Sequence, residues 1–203
     1  MPLARFEKLD PARKTRLFTA SRAEFAAKGF DGASLQPILA AAGASKGGLY
    51  YWFEDKTDLF AWVASEVLGT VTITIGEPPP KGELWTAWEE RTKRVVAAAA
   101  AEPQALVIAR SVASFGPAVR EDARLDALVA RARKPYETWL SAGTTRGAVR
   151  KDLPVELLVD LVLGVEGSVA GWLARVDELP DSDDAVARIA RLETRLVQRL
   201  VSA

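Results

Sequence analysis

Residues 32–60 constrain the fold of this chain more than any other stretch. Ser34, Ser45 and Asp55 each precede a helix-forming run, and Gly43 separates the first two of these runs. Ser and Asp are preferred at helix N-termini, and glycine readily takes the left-handed backbone that ends a helix. The segment therefore predicts two short helices joined by a tight turn, followed by the start of a longer helix.

Helical patterns continue through the rest of the chain. Asp10 before Pro11 predicts an earlier helix, because Asp is a good N-cap and Pro suits the first helical position. The segment 70–75, TVTITI, has high strand propensity, but a lone strand has no partner, so we interpret it as the end of the fourth helix. Pro135 is expected to kink the seventh helix. Residues 1–9 are expected to be loosely ordered. The predicted helices cover about residues 10–28, 34–42, 46–52, 56 to the low seventies, 83–101, 103–115, 118–142, 154–175 and 182–201.

Composition excludes several classes of chemistry. The 203 residues include no Cys and no His, so disulfides, thiol nucleophiles, imidazole metal sites and histidine acid–base catalysis are all absent. We expect no enzyme activity, no cofactor and no metal. Lys and Arg total 27 and balance 27 Asp and Glu, so the chain lacks the basic charge of many nucleic-acid-binding proteins. No signal peptide or membrane span is expected, and the cytoplasm is the default location.

The second short helix, about 46–52, has the composition of a surface that meets DNA. Ser45 and the helix N-terminus offer N–H groups to a phosphate, and Lys46 adds a positive charge. Tyr50 and Tyr51 can contact phosphates or thymine methyl groups. Each residue alone has an ordinary interpretation, either solvated surface or core edge, so the prediction depends on their combination. Five apolar residues are expected to form the core of this three-helix region: Phe25, Leu35, Ile38, Leu49 and Phe53.

The same residues resemble the N-terminal domain of TetR-family transcriptional regulators. That family's pattern runs F-x-x-x-G-(FY), T/S, I-A, A-G-V-S-(KR)-G-(ST)-(LIF)-Y-x-(HY)-F-x-x-K-x-x-L. The matching residues here are Phe25, Gly29, Phe30, Ser34, Ile38, Ala42, Gly43, Ser45, Lys46, Gly47, Leu49, Tyr50, Phe53 and Lys56, with Lys28 beside Gly29. The departures are Pro37, Leu39, Ala44, Gly48 and Trp52. The resemblance covers about residues 10–60.

The resemblance implies a homodimer that binds a palindromic operator and usually represses transcription. An effector in the C-terminal domain would shift the helix beginning at Lys56 and move the two recognition helices out of register. Gly48 lacks the hydroxyl that the family can direct to a phosphate, and Trp52 is either a phosphate contact or a packing residue. The predicted DNA-binding residues are Ser34, Gln36, Ser45, Lys46, Gly47, Gly48, Tyr50, Tyr51, Trp52 and Lys56.

The last two predicted helices are the expected dimer interface. Residues 155–173 are apolar on nearly every face, which is typical of a fully buried helix. Small residues and regularly spaced apolar residues on the two helices suit a four-helix bundle across a twofold axis. Packing within one chain is the alternative. The predicted interface residues are Leu161, Gly164, Gly167, Ser168, Gly171, Ile189, Leu192 and Leu196.

Aromatic residues beyond residue 60 suggest a site for a hydrophobic or aromatic effector. Tryptophan and tyrosine combine an apolar ring with a polar group, as ligand sites often do, although core filling is the alternative for each ring. Glu166 lies in the most apolar helix and needs a partner, either an arginine or a cationic ligand, of which we favour the arginine. The predicted ligand-binding residues are Trp62, Trp85, Trp88, Phe115, Tyr136, Trp139 and Glu166.

We therefore expect an all-α protein with two domains. Residues 1–55 would form the DNA-binding domain, and residues 56–203 the ligand-binding and dimerisation domain. The predicted function is a dimeric transcriptional repressor that a small effector releases from double-stranded operator DNA. The alternatives are a helical interaction protein with a vestigial DNA-binding unit, and an activator of the same fold.

Overall fold

The computed structural model describes residues 2–81, 83–176 and 182–203, which form nine α-helices and two short 3₁₀ helices. The 3₁₀ helices span Ala4–Lys8 and Val119–Glu121. The α-helices are α1 (Pro11–Gly32), α2 (Leu35–Ala42), α3 (Lys46–Trp52), α4 (Lys56–Ile75), α5 (Leu84–Ala101), α6 (Pro103–Ala113), α7 (Ala123–Thr145), α8 (Val155–Val176) and α9 (Asp183–Val201). The all-α prediction is confirmed for this part of the chain.

Local sequence signals explain where these helices begin and end. The Asp10 side chain accepts a hydrogen bond from the Arg13 backbone N–H at 3.1 Å, and Pro11 is the first residue of α1. Ser182 caps α9 in the same way, accepting from the Ala185 N–H at 3.3 Å. The segment 70–75 is the C-terminal part of α4, as predicted. Pro135 lies inside α7.

Packing divides the chain into two compact units. The first comprises Met1–Gly69 and Gln104–Ala130, and the second comprises Thr70–Pro103 and Arg131–Ala203. The first unit therefore holds most of α4 and α6 and the start of α7 in addition to the three N-terminal helices. This division by packing differs from the predicted division by function at residue 55, which stays a prediction.

Aromatic residues form much of the core of the first unit. Phe25 is buried and meets Phe60 edge-on, with 5.0 Å between ring centroids. The 3₁₀ helix at Ala4–Lys8 places Phe6, which is only 2% exposed, 4.9 Å from the ring of Phe53. For the described residues 2–9 the expectation of loose order is therefore wrong, because Phe6 anchors this segment to the core.

In the second unit, α9 packs against α5 and α8. Val96, Val169 and Ile189, one from each of these helices, form a buried cluster. Trp88 and Trp139 are also buried and lie edge to face, 5.7 Å apart. Both rings lie near the buried polar residues described below.

The helix α4 has the length and apolar composition of a membrane-spanning helix. Half of its most apolar stretch is buried within the protein, as in the core helices of globular proteins. Packing within the protein therefore accounts for the apolar composition of α4.

Candidate nucleic-acid interface and effector site

The turn between α2 and α3 is held by side-chain caps and one glycine. Ser34 accepts a hydrogen bond from the Gln36 backbone N–H at 3.4 Å, and Ser45 accepts from the Gly48 N–H at 3.0 Å. Gly43 adopts φ 61° and ψ 36°, the left-handed conformation in which other residues are strained. These contacts form the tight turn between two short helices that the sequence pattern predicted.

The helix α3 has a buried side and an exposed side. Leu49 and Phe53 are buried in the first unit, whereas Tyr50 is 45% exposed and Tyr51 is 54% exposed. Lys46 is also exposed. Large aromatic rings normally bury much of their area, so two neighbouring exposed tyrosines beside a lysine form a surface suited to a polar partner such as DNA.

Gly48 is explained by packing within the chain. A Cβ atom at this position would lie 3.2 Å from the Ser45 side-chain oxygen and 3.7 Å from the ring of Trp52. A Cβ at Gly47 would meet no atom within 4 Å. Gly48 therefore accommodates the Ser45 cap and the Trp52 ring.

Trp52 borders a surface cavity of about 370 Å³ next to α3. Leu9, Leu17 and the α2–α3 turn also line this cavity. The indole ring thus packs beside the turn. Of the two interpretations of Trp52, the structure supplies contacts that fit packing.

Lys56, one of the predicted DNA-binding residues, has contacts within the chain. Its ammonium group donates hydrogen bonds to the backbone carbonyls of Asp31 at 3.1 Å and Ala33 at 3.3 Å. The same group lies 5.0 Å from the centroid of the Phe30 ring. Lys56 therefore hydrogen-bonds carbonyl groups at the end of α1, where the helix dipole favours a positive charge. This interaction accounts for a lysine at the start of α4 without a nearby phosphate.

Arg5 is a candidate contact residue that the sequence pattern did not reveal. Its guanidinium carbon lies 4.4 Å from the centroid of the Tyr51 ring, which is a cation–π distance. The Leu3 backbone N–H donates to the Trp52 carbonyl at 2.8 Å and holds the N-terminal segment against the end of α3. Arg5 thus adds a positive charge to the exposed side of α3.

A cluster of charged residues joins the start of α4 to the start of α7 within the first unit. Arg124 donates hydrogen bonds to Asp55 at 3.0 Å, to Asp58 at 3.3 Å and to Asp122 at 2.7 Å. The hydrogen bonds from the Arg124 side chain lower the pKa of Asp122 from 3.8 to about 2. At Asp55, burial raises the pKa, but the Arg124 and backbone hydrogen bonds outweigh it and the pKa is lowered.

The second unit gathers several of the predicted effector residues around Glu166. The Glu166 carboxylate accepts hydrogen bonds from Arg91 at 3.1 Å and from the Tyr136 hydroxyl at 2.8 Å. Arg91 is fully buried and Glu166 is 1% exposed. An arginine partner for Glu166 is thus confirmed, although the sequence did not identify which arginine. Trp88 and Trp139 complete the group, and Trp85 lies 5.8 Å from Trp88.

Two of the predicted effector residues belong to the core of the first unit. The Trp62 ring lies 4.9 Å from the ring of Phe6. The Phe115 ring lies 5.9 Å from Phe60 and 6.2 Å from Phe30. Trp62 and Phe115 therefore pack within the first unit, whereas Glu166 belongs to the second, and their role in binding an effector stays a prediction.

The predicted dimer residues mostly lie on exposed parts of α8 and α9. Gly164, Gly167 and Ser168 are exposed, and Leu161 and Gly171 are half-buried. Leu192 is 42% exposed and Leu196 is 37% exposed. Within one chain α8 is therefore not covered on all sides, and its burial in a two-chain bundle stays a prediction. Ile189 is the exception among the interface residues, because it packs in the core with Val96 and Val169.

Comparison with known proteins identifies relatives of part of this chain. A family model described as bacterial regulatory proteins, tetR family, matches residues 17–63. The HTH-type transcriptional repressor SCO4008 of Streptomyces coelicolor is 38% identical over 77 residues. That alignment covers 37% of this chain and 40% of the repressor, so it leaves more than half of each protein unmatched.

Solved structures resemble the whole fold. A TetR-family transcriptional regulator from Chloroflexus aurantiacus is 17% identical, with a TM-score of 0.67 over 100% of this chain and 99% of that one. The transcriptional regulator FadR from Bacillus subtilis, solved in complex with stearoyl-CoA, is 14% identical, with a TM-score of 0.67 over 91% of this chain and 97% of that one. At these identities the likeness shows a shared fold.

Proposed function

Because the chain is a TetR-family transcriptional regulator, we propose that it is a homodimeric repressor released from a palindromic operator by a small effector. The observation that carries the proposal is the exposed surface of α3, where Tyr50 and Tyr51 lie beside Lys46 while Leu49 and Phe53 hold the helix to the core. A helix anchored on one side and polar on the other can enter the major groove.

Phosphate contacts would position the recognition helix, and base contacts would give sequence preference. Exposed Ser45 and Lys46 at the N-terminus of α3 are suited to phosphate, since N–H groups and positive charge converge there. Tyr50 and Tyr51 are suited to thymine methyl groups or to further phosphates. Ser34 and Gln36 are exposed at the start of α2 and would contact the adjacent backbone.

Dimerisation through α8 and α9 follows from their exposed small and apolar residues. A Cβ at Gly164 or Gly167 would meet no atom within 4 Å in the isolated chain. A second chain could therefore approach this part of α8 closely, and Leu192 and Leu196 would be removed from water on association. Twofold symmetry would then repeat the recognition helix, as a palindromic operator requires.

The effector would bind in the second unit near Trp88, Tyr136, Trp139 and Glu166. The solved structure of FadR with stearoyl-CoA supports effector binding on this fold. The helix α7 carries Arg124 near its start and Tyr136 and Trp139 further along. An effector that favours a different position of α7 would disturb the charged cluster at the start of α4 and so weaken operator binding.

A gel-shift assay with the upstream region of the protein's own gene tests the DNA-binding proposal. We expect a salt-sensitive, saturable complex at nanomolar to submicromolar protein. The absence of any sequence-selective complex with that region would count against autoregulation, and failure with a genome-wide fragment selection would reject DNA binding.

The dimer proposal has a separate test in Gly167→Glu. The added carboxylate would face its symmetry mate across the interface, so we expect monomers by sedimentation and loss of tight operator binding. Ala97→Glu, which adds the same charge at another exposed position, is the matched control and should remain dimeric. A Gly167→Glu variant that stays dimeric would show that the interface lies elsewhere.

A further inference from the structure

The buried Arg91 side chain has more hydrogen-bond donors than the described residues can satisfy. Its Nη2 atom donates to Glu166 at 3.1 Å, but Nε and Nη1 are buried and have no acceptor among the described residues. A buried donor without an acceptor is costly and uncommon in native proteins. An acceptor from outside the chain would remove this cost.

Trp88, one turn before Arg91 on α5, has the same deficit. Its indole N–H is buried, and no described residue accepts from it. Trp139 provides an internal comparison, because its indole N–H donates to the Gly76 carbonyl at 2.9 Å. The Arg91 guanidinium carbon lies 4.8 Å from the centroid of the Trp88 ring, so the unsatisfied donors of the two residues are neighbours.

The charge of Arg91 is already balanced. The pKa of Arg91 is raised because, against the effect of burial, Glu166, Tyr136 and Glu193 favour its charged form. Glu193 is itself only 3% exposed. A further carboxylate beside Arg91 would add negative charge near two buried carboxylates, where repulsion is poorly screened. The site therefore needs further hydrogen-bond acceptors for Arg91 and Trp88, but it needs no further negative charge.

We propose that Arg91 and Trp88 donate hydrogen bonds to an uncharged oxygen, such as a ketone or ester carbonyl, on an apolar aromatic effector. The aromatic body would pack among Trp88, Tyr136 and Trp139, which are all buried. This inference rests on the proposed effector site and narrows its ligand to neutral carbonyl compounds.

Three matched probes test the inference with the full-length protein. The probes are 2-acetylnaphthalene, which has a neutral carbonyl; 2-ethylnaphthalene, which has no acceptor; and 2-naphthoate, which has a carboxylate. Acetophenone, ethylbenzene and benzoate form the same series on a smaller ring. We expect tryptophan fluorescence titrations to show the ketone binding about tenfold or more tightly than both partners in at least one series. Equal binding, no binding in either series, or tightest binding of the carboxylate would overturn the inference.

Arg91→Lys separates the missing donors from the charge. Lysine can still pair with Glu166 but has no Nε–H or Nη1–H donors, so the preference for the ketone over the ethyl compound should disappear. Lys93→Gln on the same helix is the control and should keep that preference. Trp88→Phe removes only the indole donor and should reduce the preference for the ketone without abolishing it. If Arg91→Lys does not fold, Trp88→Phe still tests the inference. Retention of the full preference in both site variants would contradict the assignment.

Operator binding by the ligand-free protein keeps the two proposals apart. If that protein binds its operator but shows no ketone preference, the ligand assignment fails and the regulatory function stands. If it binds the ketone selectively but no DNA, the regulatory proposal fails and the ligand assignment stands.

Discussion

The exposed side of α3 and the buried cluster around Glu166 place polar groups in opposite surroundings. Tyr50 and Tyr51 are about half exposed, whereas Arg91 and Glu166 are almost completely buried. Substitution of an exposed side chain changes the free energy of unfolding little, because water can hydrogen-bond the polar groups that have lost a partner. A buried ion pair makes stability depend on both partners. Substitutions in the first region should therefore affect binding, and substitutions in the second should also affect folding.

The largest expected effect is on Arg91→Met. Removal of the arginine leaves the Glu166 carboxylate buried without its cation, which should lower the free energy of unfolding by about 3–5 kcal/mol. The double variant Arg91→Met/Glu166→Gln removes both charges and should recover most of this loss in urea unfolding. Lys93→Met, which breaks an exposed pair on the same helix, should change stability little. If the Arg91→Met variant were as stable as the wild type, the buried cluster would not differ from the exposed side of α3 in its effect on stability.

Tyr50→Ala tests the other side of the comparison. Loss of one contact to DNA should lower operator affinity by about 1–3 kcal/mol, with the unfolding free energy within about 0.5 kcal/mol of the wild type. Fluorescence anisotropy with labelled operator and urea unfolding measure the two quantities. Tyr50→Phe distinguishes the hydroxyl from the ring. Val107→Ala, at an exposed apolar position on α6, is the control. Unchanged affinity would remove Tyr50 from the contact surface.

Arg124→Gln gives an intermediate case, since the charged cluster is partly exposed. The folded-state pKa of Asp122, about 2, is below its ordinary value of 3.8, so the unfolded chain binds a proton more readily. The stabilisation is therefore complete above about pH 5 and disappears as the pH falls toward about 2. After allowance for solvent screening, we expect the wild type to exceed the variant by about 1 kcal/mol at neutral pH. Urea unfolding between pH 3 and pH 7 should show the difference shrink with acid, and a constant difference would exclude this ion pair as its source.

The smallest effect is expected for Arg5→Gln. Its exposed cation–π contact with Tyr51 should contribute about 0.5–1 kcal/mol. We expect a few-fold loss of operator affinity and a weaker dependence of affinity on salt, because a positive charge near the DNA surface is removed. Lys134→Gln removes an exposed charge on α7 and should leave both quantities unchanged. If Arg5→Gln and Lys134→Gln had the same operator affinity and salt dependence, Arg5 would lie outside the DNA interface.

Most of the helices were predictable because their signals are local. Asp10, Ser34, Ser45 and Ser182 each bond a backbone N–H two or three residues ahead, and such caps depend on neighbouring residues alone. The strand-like segment at 70–75 was correctly assigned to a helix, since no partner strand was available. The 3₁₀ helix around Phe6 was missed because its stability comes from contacts with Phe53 and Trp62, far away in the sequence.

The candidate sites differ in the same respect. The α3 surface lies within one short segment, so a sequence motif could specify it residue by residue. The effector group joins Arg91 to Glu166, 75 positions along the chain, and nothing local relates these two residues. Composition identified Glu166 as a buried charge in need of a partner, but it could not show that Trp62 and Phe115 pack in the first unit, because aromatic residues of both units look alike in sequence.

By itself, the sequence determined the helical periodicity, the caps, the turn at Gly43 and the family of the N-terminal region, since these depend on short-range backbone geometry and hydrogen bonding. Tertiary structure alone decided that Arg91 pairs with Glu166, that Lys56 bonds the end of α1, and that Arg124 gathers three aspartates. It also decided which apolar residues of α8 and α9 stay exposed. These outcomes depend on which side chains, distant in sequence, are buried against one another. That arrangement is set only when the helices pack.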